Sequence, residues 1–438
     1  MGGVAALARE LGHEVAGCDA NIYPPMSHQL VELGITLDAG YKAEHLDAPY
    51  DLIVVGNAMS RGNPVVERML NERLPYISGP QWIGENILAH RRVFAVAGTH
   101  GKTTTTAMLA HILDACGRKP GFLVGGIPEN FGVSARLGDG DDFVIEADEY
   151  DTAFFDKRSK FLHYHSSICI LNNLEFDHAD IFPDVAAIQR QFHHLVRTVP
   201  GNGRLVVNCE DARIAEVLAM GVWTPVTSFG IEHGDWRATL LADDGSHFAV
   251  VRGDEEIGKV EWNLIGRHNV MNALAAIAAA VAGGVEASQA IAALSGFLSA
   301  KRRMEFVGER NGIRVYDDFA HHPTAIETTL AGLRARVGKA RILVGLEPRS
   351  NSMRSGAHAD ELAPSLRDAD AAIFLRKPDL PWDAERVTSA LSGRGSTAAT
   401  VDELVGALRT SARSGDHVVF MSNGGFENAP RRFLESLR

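Results

Sequence analysis

The residues best suited to chemistry stand together in Gly98-Thr99-His100-Gly101-Lys102-Thr103-Thr104. They follow an apolar run over residues 93–97 and precede a 3.6-residue periodicity over residues 104–115, which predicts strand, glycine turn and helix start in that order. Such a turn aims backbone N–H groups and the positive end of a helix at an anion, while Lys102 can reach terminal phosphates and Thr103 can ligate Mg²⁺. The chemistry is that of a nucleoside triphosphate. A strict Walker A pattern would place its first glycine at Val96, and a glycine-containing turn with an exposed lysine is the plain alternative.

Two further apolar runs, residues 143–147 and 168–171, end in the polar clusters Asp148-Glu149-Tyr150-Asp151 and Asn172-Asn173-Leu174-Glu175-Phe176-Asp177-His178. Polar residues at the carboxyl ends of parallel strands gather where such sheets bind ligands. Hard oxygen donors such as Glu149 suit Mg²⁺, and an imidazole such as His178 is a less usual partner. Taken alone, Glu149 reads as a solvated loop carboxylate and His178 as a hydrogen-bonded loop histidine. The neighbouring phosphate loop makes both candidates.

These residues need a rigid scaffold. Short apolar runs at 52–55, 93–97, 143–147, 168–171 and 205–207 alternate with helical stretches such as 104–115 and 185–199, which predicts parallel sheets covered by helices, an α/β fold. The runs at 342–346, 371–375 and 418–421 repeat the pattern as a separate α/β unit. The rhythm breaks around Arg91-Arg92 and again over 299–303. With 438 residues, more than one core usually organises, three domains are expected: 1–91, 92–298 and 299–438. Residues 238–264 read instead as antiparallel hairpins at an edge of the central domain, and residues 273–282 as an alanine-rich helix.

Composition excludes several classes. Hydrophobic residues at 45% and charged residues at 22% fit a folded globular chain rather than a disordered one. A net charge of −12 argues against general nucleic-acid binding, which depends on basic surfaces. The four cysteines, Cys18, Cys116, Cys169 and Cys209, have no C-x-x-C spacing and read as buried thiols in a reducing cytoplasm. With no apolar run long enough to span a bilayer and no signal-peptide pattern, a cytoplasmic protein without membrane partners is expected.

The phosphate loop has the form G-T-[NH]-G-K-T of the Mur ligases, and the whole chain resembles that family. Other motifs follow in the same order: Glu146-Ala147-Asp148-Glu149, Asp177-His178, Gly266-Arg267-His268-Asn269 with Asn272, Arg302-Arg303, and Asp317-Asp318-Phe319-Ala320-His321-His322-Pro323-Thr324. His100 is similar to the branch that acts on UDP-N-acetylmuramate. A finer likeness, to members that attach L-alanyl-γ-D-glutamyl-meso-diaminopimelate in peptidoglycan recycling, rests on several segments. They are Tyr23-Pro24-Pro25-Met26-Ser27, the stretch Gly56-Asn57-Ala58-Met59-Ser60-Arg61-Gly62-Asn63-Pro64, Ser78-Gly79-Pro80-Gln81-Trp82, Phe154-Phe155-Asp156-Lys157-Arg158-Ser159-Lys160-Phe161, Glu347-Pro348-Arg349-Ser350-Asn351 and Met421-Ser422-Asn423-Gly424-Gly425-Phe426.

The resemblance implies a Rossmann-like UDP-sugar domain, a central P-loop ATPase domain and a Rossmann-like closing domain. ATP would activate the lactyl carboxylate of UDP-N-acetylmuramate as an acyl phosphate, and the peptide amine would attack it, a C–N ligation. Gly98, Thr99, His100, Gly101, Lys102, Thr103 and Thr104 would cradle phosphates. Thr103, Glu149 and His178 would hold Mg²⁺, with Glu146 as the alternative carboxylate. His268 and Asn272 match the adenine-side motif, though helix caps are the alternative. Arg303 and Asp318 would come from the closing domain to phosphate and ribose. His321 or His322 would take the amine proton, unless the pair is a structural His-Pro turn. Asn57, Ala58, Met59 and Ser60 would meet the UDP-sugar side, and Arg349, Ser350, Asn351 and Asn423 the peptide, an exposed loop arginine being the alternative reading of Arg349.

Three departures accompany the likeness. Relatives carry a strand and glycine-rich turn ahead of Met1-Gly2-Gly3-Val4, so the first domain is expected to lack its first strand and to bind UDP-sugar weakly or fold less stably. Where several members carry a modified lysine, the chain offers Gln189, Gln191 and His193, and no modified lysine is expected. The segment Phe426-Glu427-Asn428-Ala429-Pro430 replaces a more glycine-rich continuation. The competing activities are ligation of L-alanine alone to the same acceptor, folylpolyglutamate synthesis, and nucleotide or muropeptide binding without turnover.

Overall fold

A computed structural model describes residues 1–22, 26–377, 380 and 382–437. Tyr23, Pro24 and Pro25 of the first quoted segment therefore lie outside the described residues, and Met26 and Ser27 open the helix Met26–Glu32.

The strand Arg92–Ala97 lies inside a ten-stranded sheet, flanked by Ile168–Leu171 and Asp142–Ala147, both parallel to it. Because side chains alternate across a strand, Phe94 and Val96 enter one core while Val93, Ala95 and Ala97 enter another. The first core holds the helices Lys102–Ala115 and Arg267–Ala282, and the second holds Val185–Thr198. This double burial explains why the central strands read as continuous apolar runs. Trp236–Leu240, His247–Arg252 and Glu255–Glu261 form the expected antiparallel hairpins at the sheet's far edge.

The helix after the phosphate loop begins at Lys102, two residues before the periodicity suggests. Gly101 takes the N-cap at φ +76°, a left-handed conformation that glycine adopts without steric cost.

The C-terminal sheet runs Glu305–Arg310, Ile313–Asp318, His417–Met421, Ile342–Leu346, Ala371–Leu375, Gly395–Ala398; only its first pair is antiparallel. Ahead of the central sheet, two separate two-stranded parallel sheets pair Ala16–Asp19 with Thr36–Ala39 and Ile53–Val55 with Tyr76–Ser78. Val4, Leu7, Ile77, Trp82 and Ile83 join Phe161 and Phe192 in one core, so this region packs directly onto the central sheet. Among the described residues, no helix is long and apolar enough to cross a membrane.

Candidate active site

The phosphate loop is pinned from below by the segment that follows the strand Ile168–Leu171. Asn173 accepts from the His100 N–H (2.7 Å) and donates to its carbonyl (3.1 Å), while Thr99 Oγ1 accepts from the Glu175 N–H at 2.8 Å. A Cβ on Gly101 would meet Asn272 Oδ1 at 2.6 Å, and that oxygen accepts from Asn172 Nδ2 at 2.8 Å. Asn272 is thus a buttress beneath the loop. Neither it nor His268 caps its helix, because Gly266 is the N-cap and makes no side-chain cap bond. His268 Nδ1 is buried without a partner, and burial, then Arg303, pushes its pKa down to about 4.

Lys102 folds back into the loop, donating to the Gly98 carbonyl at 2.6 Å and to Glu149 Oε2 at 2.9 Å, with Asp148 Oδ1 3.7 Å away. Burial alone would lower its pKa, but the two carboxylates outweigh that and raise it. Burial would likewise raise Glu149; Lys102 and His178 reverse the sign and hold it below the usual carboxylate range. His178 Nε2 lies 3.4 Å from Glu149 Oε1, and its backbone takes φ +55°. Such strain in a non-glycine residue persists where surrounding contacts fix it, commonly at functional sites. Thr103 and Thr104 are buried in the first turn, and Glu146 accepts from the Gly125 N–H at 2.5 Å.

The C-terminal domain closes onto this centre. Arg303 Nη2 donates to Thr103 Oγ1 at 3.3 Å, and its guanidinium lies 4.9 Å from the Phe319 ring centroid. Asp318 is buried and accepts from the Met304 and Ala320 N–H groups, each at 2.7 Å, which fixes the turn that carries Arg303. Ser352 donates to Asp177 Oδ1 at 2.6 Å, Thr324 to Glu175 Oε2 at 2.7 Å, and Asn351 to Asp180 Oδ2 at 3.0 Å.

A cavity of about 240 Å³ opens between the domains, lined by Asp177, His178, His321, Arg349, Ser350, Asn351, Ser352 and Asn423. Four positions singled out for the peptide therefore converge with His178 and His321. Arg349 packs against Gly424, where a Cβ would come within 2.0 Å of its Nη1. Asn423 Oδ1 is buried with no partner. A second cavity of about 260 Å³ is lined by Glu149, Asp151, Lys157, Ser159, Ile181 and Phe182. Neither cavity includes Asn57, Ala58, Met59 or Ser60; Asn57, Ala58 and Ser60 are exposed in the turn after Ile53–Val55.

The two adjacent histidines separate cleanly. His322 caps the helix Pro323–Val337, its Nδ1 accepting from the Thr324 N–H at 3.3 Å, and its Nε2 lies 3.3 Å from the Phe176 carbonyl. Both nitrogens are thereby engaged. His321 uses only Nδ1, 3.0 Å from the Phe319 carbonyl, which makes that nitrogen the donor and leaves Nε2 a free base lining the cavity. Burial pushes its pKa down to about 4.

Sequence reasoning passed over Asp148, Asp177 and Ser352 as partners, and Asn172 and Glu175 as loop supports. All but Ser352 stood inside motifs quoted for other members. Their roles depend on contacts between residues far apart in the sequence, from Lys102 with Asp148 to Asn172 with Asn272 and Asp177 with Ser352, for which local spacing carries no signal.

A phosphate loop on a parallel sheet, completed by a second α/β domain that folds over it, defines a nucleotide-dependent enzyme assembled by domain closure. Comparison with known proteins narrows the class. Residues 1–91 match the model of the Mur ligase family catalytic domain, residues 96–280 the Mur ligase middle domain and residues 302–424 the Mur ligase glutamate ligase domain. The UDP-N-acetylmuramate–L-alanyl-γ-D-glutamyl-meso-2,6-diaminoheptandioate ligase of Escherichia coli (strain K12) is 53% identical, covering 100% of this chain and 96% of that protein. A crystal structure of a murein peptide ligase from Psychrobacter arcticus 273-4 superimposes with a TM-score of 0.78 at 47% identity, covering 100% of this chain and 96% of that one. The fold is shared with the UDP-N-acetylmuramate–alanine ligase of Thermotoga maritima, with a TM-score of 0.82 at 23% identity over 100% of this chain and 96% of that one. The chain belongs to the Mur ligase family.

Proposed function

We propose that this enzyme joins L-alanyl-γ-D-glutamyl-meso-diaminopimelate to UDP-N-acetylmuramate at the expense of ATP, in the cytoplasmic recycling of peptidoglycan. The observation that carries the reading is the cavity between the domains, where Arg349, Ser350, Asn351 and Asn423 face His178 and His321. The 53% identity to the Escherichia coli ligase named above supports it against ligation of L-alanine alone. An arginine fork suits a peptide carboxylate, which free L-alanine offers only beside its reacting amine.

The γ-phosphoryl group of ATP passes to the lactyl carboxylate, giving ADP and an acyl phosphate. The peptide's α-amine then attacks the acyl carbon, phosphate leaves, and the amine's proton is taken up by His321 Nε2. Burial leaves that nitrogen unprotonated, with its lone pair available, while its pKa near 4 makes it a weaker base than a free imidazole. Positioning and charge neutralisation dominate phosphoryl transfer, and Lys102 and Arg303 bring two cations to the loop from two domains. Glu149, Asp148 and His178 offer ligand atoms within 4.8 Å of one another. The buried Glu149 already pairs with a cation, Lys102, and the carboxylate oxygens of this donor set fit Mg²⁺. Mg²⁺, when bound, neutralises phosphate charge. His268, with its orphaned Nδ1, takes the nucleotide's base side.

The test is phosphate release from ATP, Mg²⁺ and UDP-N-acetylmuramate, with the tripeptide or with L-alanine, and the product mass. Tripeptide-dependent release with the adduct mass is expected; release driven by L-alanine alone would move the assignment to the alanine-adding activity.

A further inference from the structure

One polar cluster at the domain junction is left unused by the mechanism. Three groups stand around Glu175 Oε2: His100 Nε2 at 3.0 Å, His322 Nδ1 at 3.3 Å, and the Thr324 hydroxyl, which donates to it at 2.7 Å. The two imidazoles lie with centroids 4.3 Å apart, and His358 packs edge-on against His322 at 4.4 Å. His100 belongs to the phosphate loop, Glu175 to the loop after Ile168–Leu171, and His322 to the closing domain.

We propose that His100, Glu175 and His322 form a second metal site, distinct from the Mg²⁺ centre at Glu149, which takes a borderline transition ion such as Zn²⁺ and ties the phosphate loop to the closing domain. Two imidazoles and one carboxylate are the donor set Zn²⁺ favours, whereas Mg²⁺ prefers oxygen. The spacing fits: with metal–ligand bonds of about 2.0–2.1 Å, tetrahedral ligands stand roughly 3.3–3.4 Å apart, close to the 3.0 and 3.3 Å that separate the two nitrogens from Glu175 Oε2. The ligand atoms all lie within 4.8 Å of one another.

Outer contacts of the kind that orient metal ligands are already in place. His322 Nε2 lies 3.3 Å from the Phe176 carbonyl, so a proton there leaves the Nδ1 lone pair turned to Glu175; Thr324 holds the carboxylate itself. His322 Nδ1 would exchange its long cap contact with the Thr324 N–H for the ion. His100 and Glu175 remain 19% and 26% exposed, which leaves an entry path and an open coordination position.

The test is titration of the full-length chain, in excess Mg²⁺, with Co²⁺ as a coloured stand-in for Zn²⁺. One equivalent giving the visible bands of a low-coordinate site, displaced by Zn²⁺, is the expected result. His322→Asn keeps a helix-capping side chain while removing the imidazole, so it should fold. It should weaken Co²⁺ binding by more than the roughly 10–100-fold that a lost outer contact costs. Glu175→Gln should do the same, and Glu149→Gln should leave the bands in place. No saturable band, or a band lost in Glu149→Gln and kept in His322→Asn, would overturn the proposal.

Discussion

At the scale of single residues, the Arg349 side chain owes its position to a glycine. Gly424→Ala puts a Cβ within 2.0–2.4 Å of the Arg349 side chain, which is long enough to swing away. The expected outcome is a KM for the tripeptide raised about tenfold or more with an almost unchanged melting temperature, since a surplus charged contact of this kind is worth roughly 1.5–3 kcal/mol; steady-state kinetics beside a thermal melt check it. The buried histidines set a pH dependence. His268 and His321 have pKa values near 4 and His322 near 3, all below the ordinary 6.5. The unfolded chain therefore binds protons that the folded one refuses, so stability is full above about pH 6.5 and falls as pH drops toward 4. Asp148, Asp177 and Glu175, held low by lysine and histidine neighbours against the effect of burial, extend the loss at more acid pH. Melting temperatures that stay level between neutral pH and about pH 4 would contradict this.

At the scale of elements, the loop and its helix were legible in the sequence because strand, glycine and lysine follow one another locally. Their support was not. Asn272 lies 100 residues from its partner Asn172, and the motif match pointed to a cap or an adenine contact rather than a buttress. The His321-His322 pair shows the same limit: spacing offered catalysis or a turn, and only the helix Pro323–Val337, which uses His322 as its cap, divides the roles. The turn at 57–60 stands apart from both cavities, with Asn57, Ala58 and Ser60 exposed. Gly101→Ala tests the buttress. The left-handed φ of +76° and the 2.6 Å approach to Asn272 Oδ1 should cost about 1–2 kcal/mol of stability and reduce nucleotide affinity, read by unfolding and by ATP titration.

At the scale of the molecule, stability should be uneven. The sheets that pair Ala16–Asp19 with Thr36–Ala39 and Ile53–Val55 with Tyr76–Ser78 have two strands each, and two-stranded sheets gain little alone. Amide exchange should open the Ala16–Asp19 pairing first and the strand Arg92–Ala97 last; equal protection across both would contradict the reading. Closure has its own test. Gly332 faces Gly266, where a Cβ would lie 2.8 Å from its Cα. Gly332→Val should wedge the domains apart and lower kcat, by up to about 100-fold for a displacement near 1 Å, with the fold intact by circular dichroism. The division of the cavity wall has a consequence for how such an enzyme can change. Arg349, Ser350 and Asn423 sit on loops that leave the parallel strands Ile342–Leu346 and His417–Met421, with Asn351 opening the helix after the first of these loops, while Lys102 and Thr103 start a helix after one strand of the central sheet and Glu149 follows another. A library of substitutions confined to those loops can therefore search for new amine donors while the machinery that makes the activated acid is inherited whole, so that donor choice and acid activation can evolve as separate traits.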